Sequence, residues 1–377
     1  MENVFAGLWQ SFWDPANYWE KWWDGKVCLG FQLELVSLGG EIHFLLRCPD
    51  GRRSVAETTI YSQYPDAEIS LVEDYTKNIP NNIPNEIWDL WGSDYKFVKP
   101  DPYPILTYRK FETEAEKEEE KRIDPFAALL ESMARIKQGE QLWLQFQVTP
   151  IAQEAAKPFL KEAEKIRDKL AKRKEKSEQG SSFIMSFIND IVNFINFIVT
   201  GNLKEAKEEK EEKEVLFPPE MHLTPGEKET IQEVERKSSK PCFKCGARFI
   251  FLGKKGIWEK AKLRMPFSYF GSYVTSDANA LVPLGKTITK VYSRPPFNIF
   301  DKRRLFVRKR RMFRQYKDRL SPLFPKKGNW KTGSFVLSIE ELASLFHFPS
   351  WRVAPAPGVP RVETKKGGAP SNLPYEE

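Results

Sequence analysis

Alternating apolar and polar positions predict two paired strands near the start of the chain. Between Cys28 and Cys48, apolar residues recur at every second position on either side of Gly39-Gly40, namely Phe31, Leu33 and Leu35, then Ile42, Phe44 and Leu46. A period of two is typical of half-buried strands, and adjacent glycines favour a tight turn. We therefore predict a β-hairpin here.

Further patterns extend the prediction over residues 28–175. Helical spacing predicts helices in residues 52–64 and in "DPFAALLESMARI", where Asp-Pro is typical of a helix start. Short apolar or alternating runs predict strands at "EISLVEDY", "YPILTY" and "QLWLQFQV". Two strands, a helix, two strands, a helix and a strand indicate an α+β lobe of the split βαβ, ferredoxin-like kind, ending in a charged helix over residues 151–175.

A second lobe is predicted at residues 241–348. It begins with the apolar strand "CFKCGARFIFLG", continues through two helices, and ends in "FVLSIEELASLFHF", where Ser338 and Glu341 have the spacing of a capping box. We predict two lobes of mixed or antiparallel sheet with helices on one face, joined by a charged helical insertion at 176–240. Residues 1–27 form an aromatic N-terminal segment, and residues 349–377 have the proline and glycine content of a linker.

Charge is distributed unevenly along the chain. The net charge is +7, but residues 286–331 contain sixteen lysines or arginines and only two acids, Asp301 and Asp318. The start of the chain lacks the basic and apolar regions of a signal peptide, and its four cysteines suit a reducing compartment, so we expect a cytoplasmic protein.

Residues 302–320 are predicted to form a basic amphipathic helix. Its apolar residues fall near one face: Leu305, Phe306, Met312, Phe313, Tyr316 and Leu320. Seven cations remain as candidate nucleic-acid contacts: Arg303, Arg304, Arg308, Lys309, Arg310, Arg311 and Arg314. Such a surface binds DNA phosphates, anionic lipid headgroups or an acidic protein patch, and charge alone does not choose among them.

One segment inside the insertion is apolar. "FIMSFINDIVNFINFIV", residues 183–199, is short for a bilayer crossing and has polar residues at helical spacing on one side. We predict an amphipathic helix whose phenylalanines lie in a membrane interface or against a partner: Phe183, Phe187, Phe194 and Phe197. This predicts attachment to the inner face of the cytoplasmic membrane. The tryptophans at positions 9, 13, 19, 22 and 23 fit the same interface or buried packing equally well.

The sequence contains no convincing catalytic, metal or cofactor site. "ALVPLGKT", residues 280–287, ends like a phosphate-binding loop, but its first glycine is replaced by Ala280, and Pro283 removes a backbone donor. Cys242 and Cys245 have the spacing of half a zinc ribbon without a second pair, and the three histidines are scattered. We therefore expect a non-enzymatic protein; an enzyme that uses the "GKT" sequence is the alternative.

Five segments are informative in combination: "YSQYPD", "EDYT", "PYPILTY", "DPFAALLESM…GEQLWLQFQVTP" and "EELASLFHFPS…SNLP". Together they resemble a domain of unknown function that precedes HerA or FtsK-type ATPases in bacterial type IV secretion and conjugative DNA-transfer proteins. The resemblance covers most of residues 28–175 and 242–374.

The resemblance implies an accessory module of a DNA translocase, a membrane-proximal adaptor that guides DNA or docks the motor. In that family "NLP" leads into the ATPase core. This sequence lacks Walker motifs, so we expect the motor in trans or lost from the C-terminus. A homo-oligomer is also compatible. The alternative is a stand-alone DNA-binding protein that uses the helix at 302–320.

Overall fold

The computed structural model describes residues 1–14, 17–26, 28–115, 124–151, 153–171, 223–257, 259–275, 277–293, 295, 297–320 and 333–349. The helices are α1 Glu2–Phe12, α2 Tyr18–Trp22, α3 Arg53–Tyr61, α4 Tyr108–Ala115, α5 Pro125–Ala134, α6 Gln153–Leu170, α7 Pro225–Ser239, α8 Met265–Gly271, α9 Asp301–Lys317 and α10 Ile339–Leu345. The strands are β1 Phe31–Leu38, β2 Glu41–Arg47, β3 Trp88–Phe97, β4 Glu140–Pro150, β5 Cys242–Lys254, β6 Leu281–Pro283 and β7 Phe335–Ser338.

The described strands form one antiparallel sheet in the order β2-β1-β4-β5-β3-β6, with β7 also paired to β5. Strand β5 pairs with β4 from Phe243 to Gly253. Its other edge is shared, because β7 pairs with its first residues and β3 with its last. The predicted α+β class is confirmed. The strands that we assigned to separate lobes at 28–175 and 241–348 lie side by side in this sheet.

Strand β5 is central because it is apolar on both sides. Of its thirteen residues, only Lys244 and Lys254 are exposed. A strand buried on both faces has near-continuous apolar sequence rather than clean alternation, as "ARFIFLG" does here.

Helices cover both faces of the sheet. The first face, which includes Phe146 and Phe249, packs against α1, α3, α5, α8 and α10. The second face, which includes Trp143 and Ile250, packs against α9 through its buried residues Met312, Phe313 and Tyr316. The expectation of helices on one face is thus corrected, because alternate residues of the central strands are apolar on the second face too.

Local patterns predicted some elements well. The hairpin is present as β1 and β2, with positive φ at Gly39 and Gly40. Helix α5 begins as predicted, since the Asp124 carboxylate accepts a hydrogen bond from the backbone N–H of Phe126 at 2.9 Å. The strand predictions at "EISLVEDY" and "YPILTY" are wrong, because neither segment joins the sheet. Strand β3, which does, was not predicted.

Helix α7 lies within residues 176–240, which we predicted as an insertion. Its start is a capping box between Thr224 and Glu227, and its Val234 is buried. It packs against α6. Consequently the described end of the predicted insertion is part of the packed structure.

The strand and helix predicted at the end of the second lobe are confirmed as β7 and α10. The capping box is present, because Ser338 Oγ accepts from the backbone N–H of Glu341, and the Glu341 carboxylate accepts from that of Ser338. All seven residues of α10 are buried. Its two acids are paired with cations, Glu341 with Lys237 at 3.1 Å and Glu340 with Lys240 at 2.6 Å, which makes their burial tolerable.

Candidate nucleic-acid interface

Helix α9 is the predicted basic helix, and its apolar face fixes it on the sheet. The ring of Trp143 on β4 lies 4.9 Å from that of Tyr316 and 6.3 Å from that of Phe313, centroid to centroid. Met312 lies above Gly92 of β3, where an added Cβ would come within 3.2 Å of its Cγ. The absence of a side chain at position 92 therefore allows the helix to approach the strand closely.

The C-terminal end of α9 has an unusual cap. The backbone N–H of Arg319 donates to Tyr316 O, and that of Leu320 donates to Gln315 O, each at 3.0 Å. This is the hydrogen-bond pattern of a Schellman motif, in which glycine usually occupies the left-handed position. Here Arg319 occupies it with a φ of 53°. A glycine at this position would avoid the strain but would lose the contacts of the arginine side chain.

The Arg319 side chain forms two ion pairs. Its Nε lies 3.1 Å from Glu34 Oε1 on β1, and its Nη1 lies 2.6 Å from Asp74 Oδ2. Burial by itself raises the pKa of Asp74, but hydrogen bonds from Arg319 and Thr76 outweigh burial and hold that pKa far below its ordinary value. The end of α9 is thereby joined to two separate parts of the chain.

Around these ion pairs lies a buried polar network on the second face of the sheet. Gln145 Nε2 donates to Glu34 Oε1 at 2.6 Å, and the Tyr75 hydroxyl donates to Glu34 Oε2 at 2.8 Å. Next to it, the fully buried Arg248 pairs with Asp94 at 2.7 Å and donates to the carbonyl of Leu320 at 3.0 Å. The network holds the chain just beyond α9 against strands β4 and β5.

Two of the seven candidate cations stabilise the fold rather than face solvent. Arg308 Nη1 donates to the carbonyls of Ile288 and Lys290, at 3.3 and 3.1 Å, and so ties α9 to the loop after β6. Lys309 Nζ forms an ion pair with Asp89 of β3 at 2.6 Å. These side chains are occupied, so we do not count them in the interface.

The other five candidates are exposed and share one face of α9: Arg303, Arg304, Arg310, Arg311 and Arg314. At 100° per residue they fall within an arc of about 120°, opposite the buried residues Met312 and Tyr316. None of the five forms an ion pair with an acid of the described residues. The result is a cationic surface about 17 Å long, at 1.5 Å per residue.

Aromatic and aliphatic side chains that were not predicted as contacts border this surface. Tyr292 is 88% exposed, and Phe300 is 58% exposed. Phe300 and Val307 line a shallow groove together with Arg303 and Arg304. The signal available in the sequence was the occurrence of aromatic residues, Tyr292 and Phe300 among them, in the ten residues before the basic run.

The "GKT" sequence lies in a turn after β6. The backbone N–H groups of Thr287 and Ile288 donate to Leu284 O, and Thr289 is hydrogen-bonded to Gly92 of β3. The residues that follow, up to position 293, are not helical. A phosphate-binding loop needs a helix N-terminus directed at the phosphates, which this turn lacks.

The cysteines of "CFKC" are part of the sheet. Cys242 and Cys245 are buried in β5, and burial raises the pKa of the Cys242 thiol to about 12. Among the described residues, no group of three or more histidine, cysteine or acidic side chains is placed to hold a metal ion. Buried thiols with raised pKa values are unreactive, as in ordinary core packing.

The predicted membrane contacts Phe183, Phe187, Phe194 and Phe197 lie outside the described residues, as does the predicted tail from residue 350 onward. No helix in the described part of the chain has the length and apolar character for crossing a bilayer. The N-terminal tryptophans differ in exposure. Trp9 donates its indole N–H to Cys242 O at 3.0 Å, whereas Trp19, Trp22 and Trp23 are 72%, 72% and 86% exposed.

Comparisons with protein-family models, with curated proteins and with solved structures found no match to this chain.

Proposed function

We propose that the protein binds the phosphate backbone of DNA through the exposed arginine face of α9. The observation that carries the proposal is that five arginines share one face, while two acids near the helix, Asp89 and Asp301, are engaged elsewhere. Asp89 is paired with Lys309, and the Asp301 carboxylate accepts a hydrogen bond from the backbone N–H of Ser293. The third acid, Asp318, is exposed just after the helix and offsets at most one of the five charges, so the face keeps a net positive charge.

A duplex carries about one negative charge per 1.7 Å of its axis, so a cationic surface about 17 Å long spans several phosphates. Arginine suits this ligand because its planar guanidinium donates two parallel hydrogen bonds to phosphate oxygens. We propose that these contacts are with the backbone and not with base edges. Arginine also reads guanine in the major groove, and equal affinity for unrelated sequences separates the two kinds of contact.

Such binding suits the role implied by the resemblance, that of a non-catalytic accessory module of a conjugation-type DNA translocase that docks a motor ATPase. A stand-alone DNA-binding protein would use the same face. A reading frame for a motor next to this gene favours the adaptor, and its absence there favours the stand-alone protein.

Peripheral attachment to the inner face of the cytoplasmic membrane is a separate part of the proposal. It is supported by the sequence of residues 183–199 and by the exposure of Trp19, Trp22 and Trp23. Flotation with anionic vesicles tests it. The intact protein should float, and Phe187→Asp with Phe194→Asp should release it; wild-type protein that never floats would contradict it.

The DNA-binding proposal is tested by reversing charge where the fold does not depend on it. The side chains of Arg303, Arg311 and Arg314 form no hydrogen bond, ion pair or ring contact within the described residues. Their triple replacement by glutamate should weaken DNA binding, measured by fluorescence anisotropy, more than about tenfold and equally for unrelated sequences.

The matched control reverses three exposed lysines on α6: Lys157, Lys161 and Lys165. It changes net charge by the same amount at another surface, so it should leave most of the affinity intact. Equal losses in the two triple variants would mean that only net charge matters, which contradicts an interface on α9.

A further inference from the structure

From the aromatic side chains beside the arginine face, we propose that this surface prefers single-stranded nucleic acid, stacking unpaired bases on Tyr292 and Phe300 while the arginines hold the phosphates. The inference rests on the proposed function, since it assumes that the arginine face of α9 binds a polynucleotide backbone.

The exposure of these rings is the first observation. Tyr292 and Phe300 are 88% and 58% exposed, whereas Phe313 of α9 is buried. A single exposed apolar residue is ordinary, but here Ile299 and Val307 are also exposed, at 76% and 54%. Apolar groups clustered at a surface in this way mark an interaction site.

Their position is the second observation. Ser293, the neighbour of Tyr292, donates its backbone N–H to Asp301 Oδ2 at 2.9 Å, and its hydroxyl accepts from Arg304 at 3.3 Å. These bonds hold the segment that carries Tyr292 against the start of α9. Phe300 lines one groove with Arg303 and Arg304. The segment that carries Tyr292 and the groove that contains Phe300 therefore adjoin the same end of the arginine face.

This combination favours a single strand for a physical reason. In a duplex both faces of every internal base are already stacked, so the exposed rings gain no stacking contact from a duplex. Only the higher charge density of a duplex would favour its binding. In a single strand the bases are free to stack on a side chain, which strengthens binding by about tenfold or more per base. Alternating aromatic and cationic groups are the usual form of such a surface.

An apolar protein segment is not the first choice, because it would leave the five arginines unpaired. An acidic segment is not the first choice either, because it has no bases to stack on Tyr292 and Phe300. An anionic vesicle offers phosphates too, but its headgroups would pair with the arginines without a base to stack on the rings. We therefore commit to a single-stranded nucleic acid and treat lipid as an outcome of the test.

The experiment compares short oligo-dT, short oligo-U and a duplex of the same length, each labelled, with wild type and with Tyr292→Ala/Phe300→Ala. Both rings are largely exposed, so the variant should fold. Binding of the two single strands should fall about tenfold or more, while duplex binding stays within about twofold. Tyr292→Trp/Phe300→Trp should restore single-strand binding, because an indole also stacks. Tyr61→Ala, which removes an exposed ring on α3, is the control and should change nothing.

The outcomes separate the two proposals. If the Arg303, Arg311 and Arg314 reversal weakens all probes but the ring variant binds like wild type, the stacking inference is overturned and backbone binding stands. If no probe binds, both fail. Binding to phosphatidylserine vesicles that needs the same arginines, without binding to any polynucleotide, would make the surface a lipid site and overturn both.

Discussion

Replacing Arg319 with methionine tests how the candidate interface is held on the sheet. Glu34, whose side chain is 2% exposed, would keep hydrogen bonds from Gln145 and Tyr75 but would lose its one ion pair within the described residues. Breaking a buried pair by removing one partner costs about 3–5 kcal/mol. Losing the ion pair with Asp74 should cost less stability, because the Asp74 side chain is 31% exposed and solvent screens its charge.

Two further variants separate the side chain from the backbone. Arg319→Gly loses the same ion pairs but removes the strain of a left-handed non-glycine residue, about 1 kcal/mol, so it should be less destabilising than Arg319→Met by about that amount. Adding Glu34→Gln to Arg319→Met removes the buried Glu34 charge that the loss of Arg319 leaves unpaired. The double variant should therefore be more stable than the sum of the single changes predicts, by about 2 kcal/mol.

Urea unfolding followed by circular dichroism measures these differences. The wild type should also lose stability as pH falls below about 4, because the pKa of Asp74 is depressed in the folded state. The ionised Asp74 stabilises the fold above its unfolded pKa, and this stabilisation is lost once the carboxylate is protonated. Arg319→Met should show a weaker acid dependence. A loss below about 1 kcal/mol in Arg319→Met, with additive effects in the double variant, would refute the ion-pair account.

Three other changes have defined outcomes. Gly92→Ala places a Cβ 2.9 Å from Phe249 O and 3.2 Å from Met312 Cγ, so it should destabilise the protein by about 1–3 kcal/mol in the same assay. Burial raises the pKa of Asp101 from 3.8 to about 6, so the ionisation of Asp101 above pH 6 disfavours folding. Asp101→Asn should therefore be more stable than wild type by about 1–3 kcal/mol at pH 8, and this difference should vanish near pH 4. Lys286→Ala should alter neither stability nor nucleotide binding, and a micromolar ATP affinity lost in that variant would contradict a non-enzymatic turn.

The predictable parts of this fold are those encoded locally. The hairpin follows from alternation around Gly39-Gly40, and the start of α10 follows from the Ser338 and Glu341 spacing. Strand β3 could not be predicted in this way, because it buries Asp94 at its centre. That burial is tolerable only because Arg248, 154 residues further on, supplies the opposite charge.

The opposite error occurred at "EISLVEDY". Its apolar run is typical of a strand, yet Leu71 and Val72 are 80% and 57% exposed, and the segment does not pair with the sheet. A strand needs a partner edge as well as propensity, and the sequence does not specify which edges are free.

The candidate interface was likewise predictable only in part. The basic run and its amphipathic period were evident from sequence, so the helix and its solvent-facing side could be predicted. Which arginines remain available could not be, because Arg308 is engaged by carbonyls of a loop about twenty residues earlier. A binding role for the exposed rings of Tyr292 and Phe300 likewise follows only from their position beside α9.

The salt dependence of DNA binding tests the central claim most directly. If the five exposed arginines each neutralise one phosphate, the logarithm of the duplex association constant should fall with the logarithm of salt concentration with a slope of about −4.5. Reversing Arg303, Arg311 and Arg314 should reduce the slope to about −2, while the α6 control keeps it. A wild-type slope near zero, or the same slope in the arginine variant, would contradict an α9 interface with the DNA backbone.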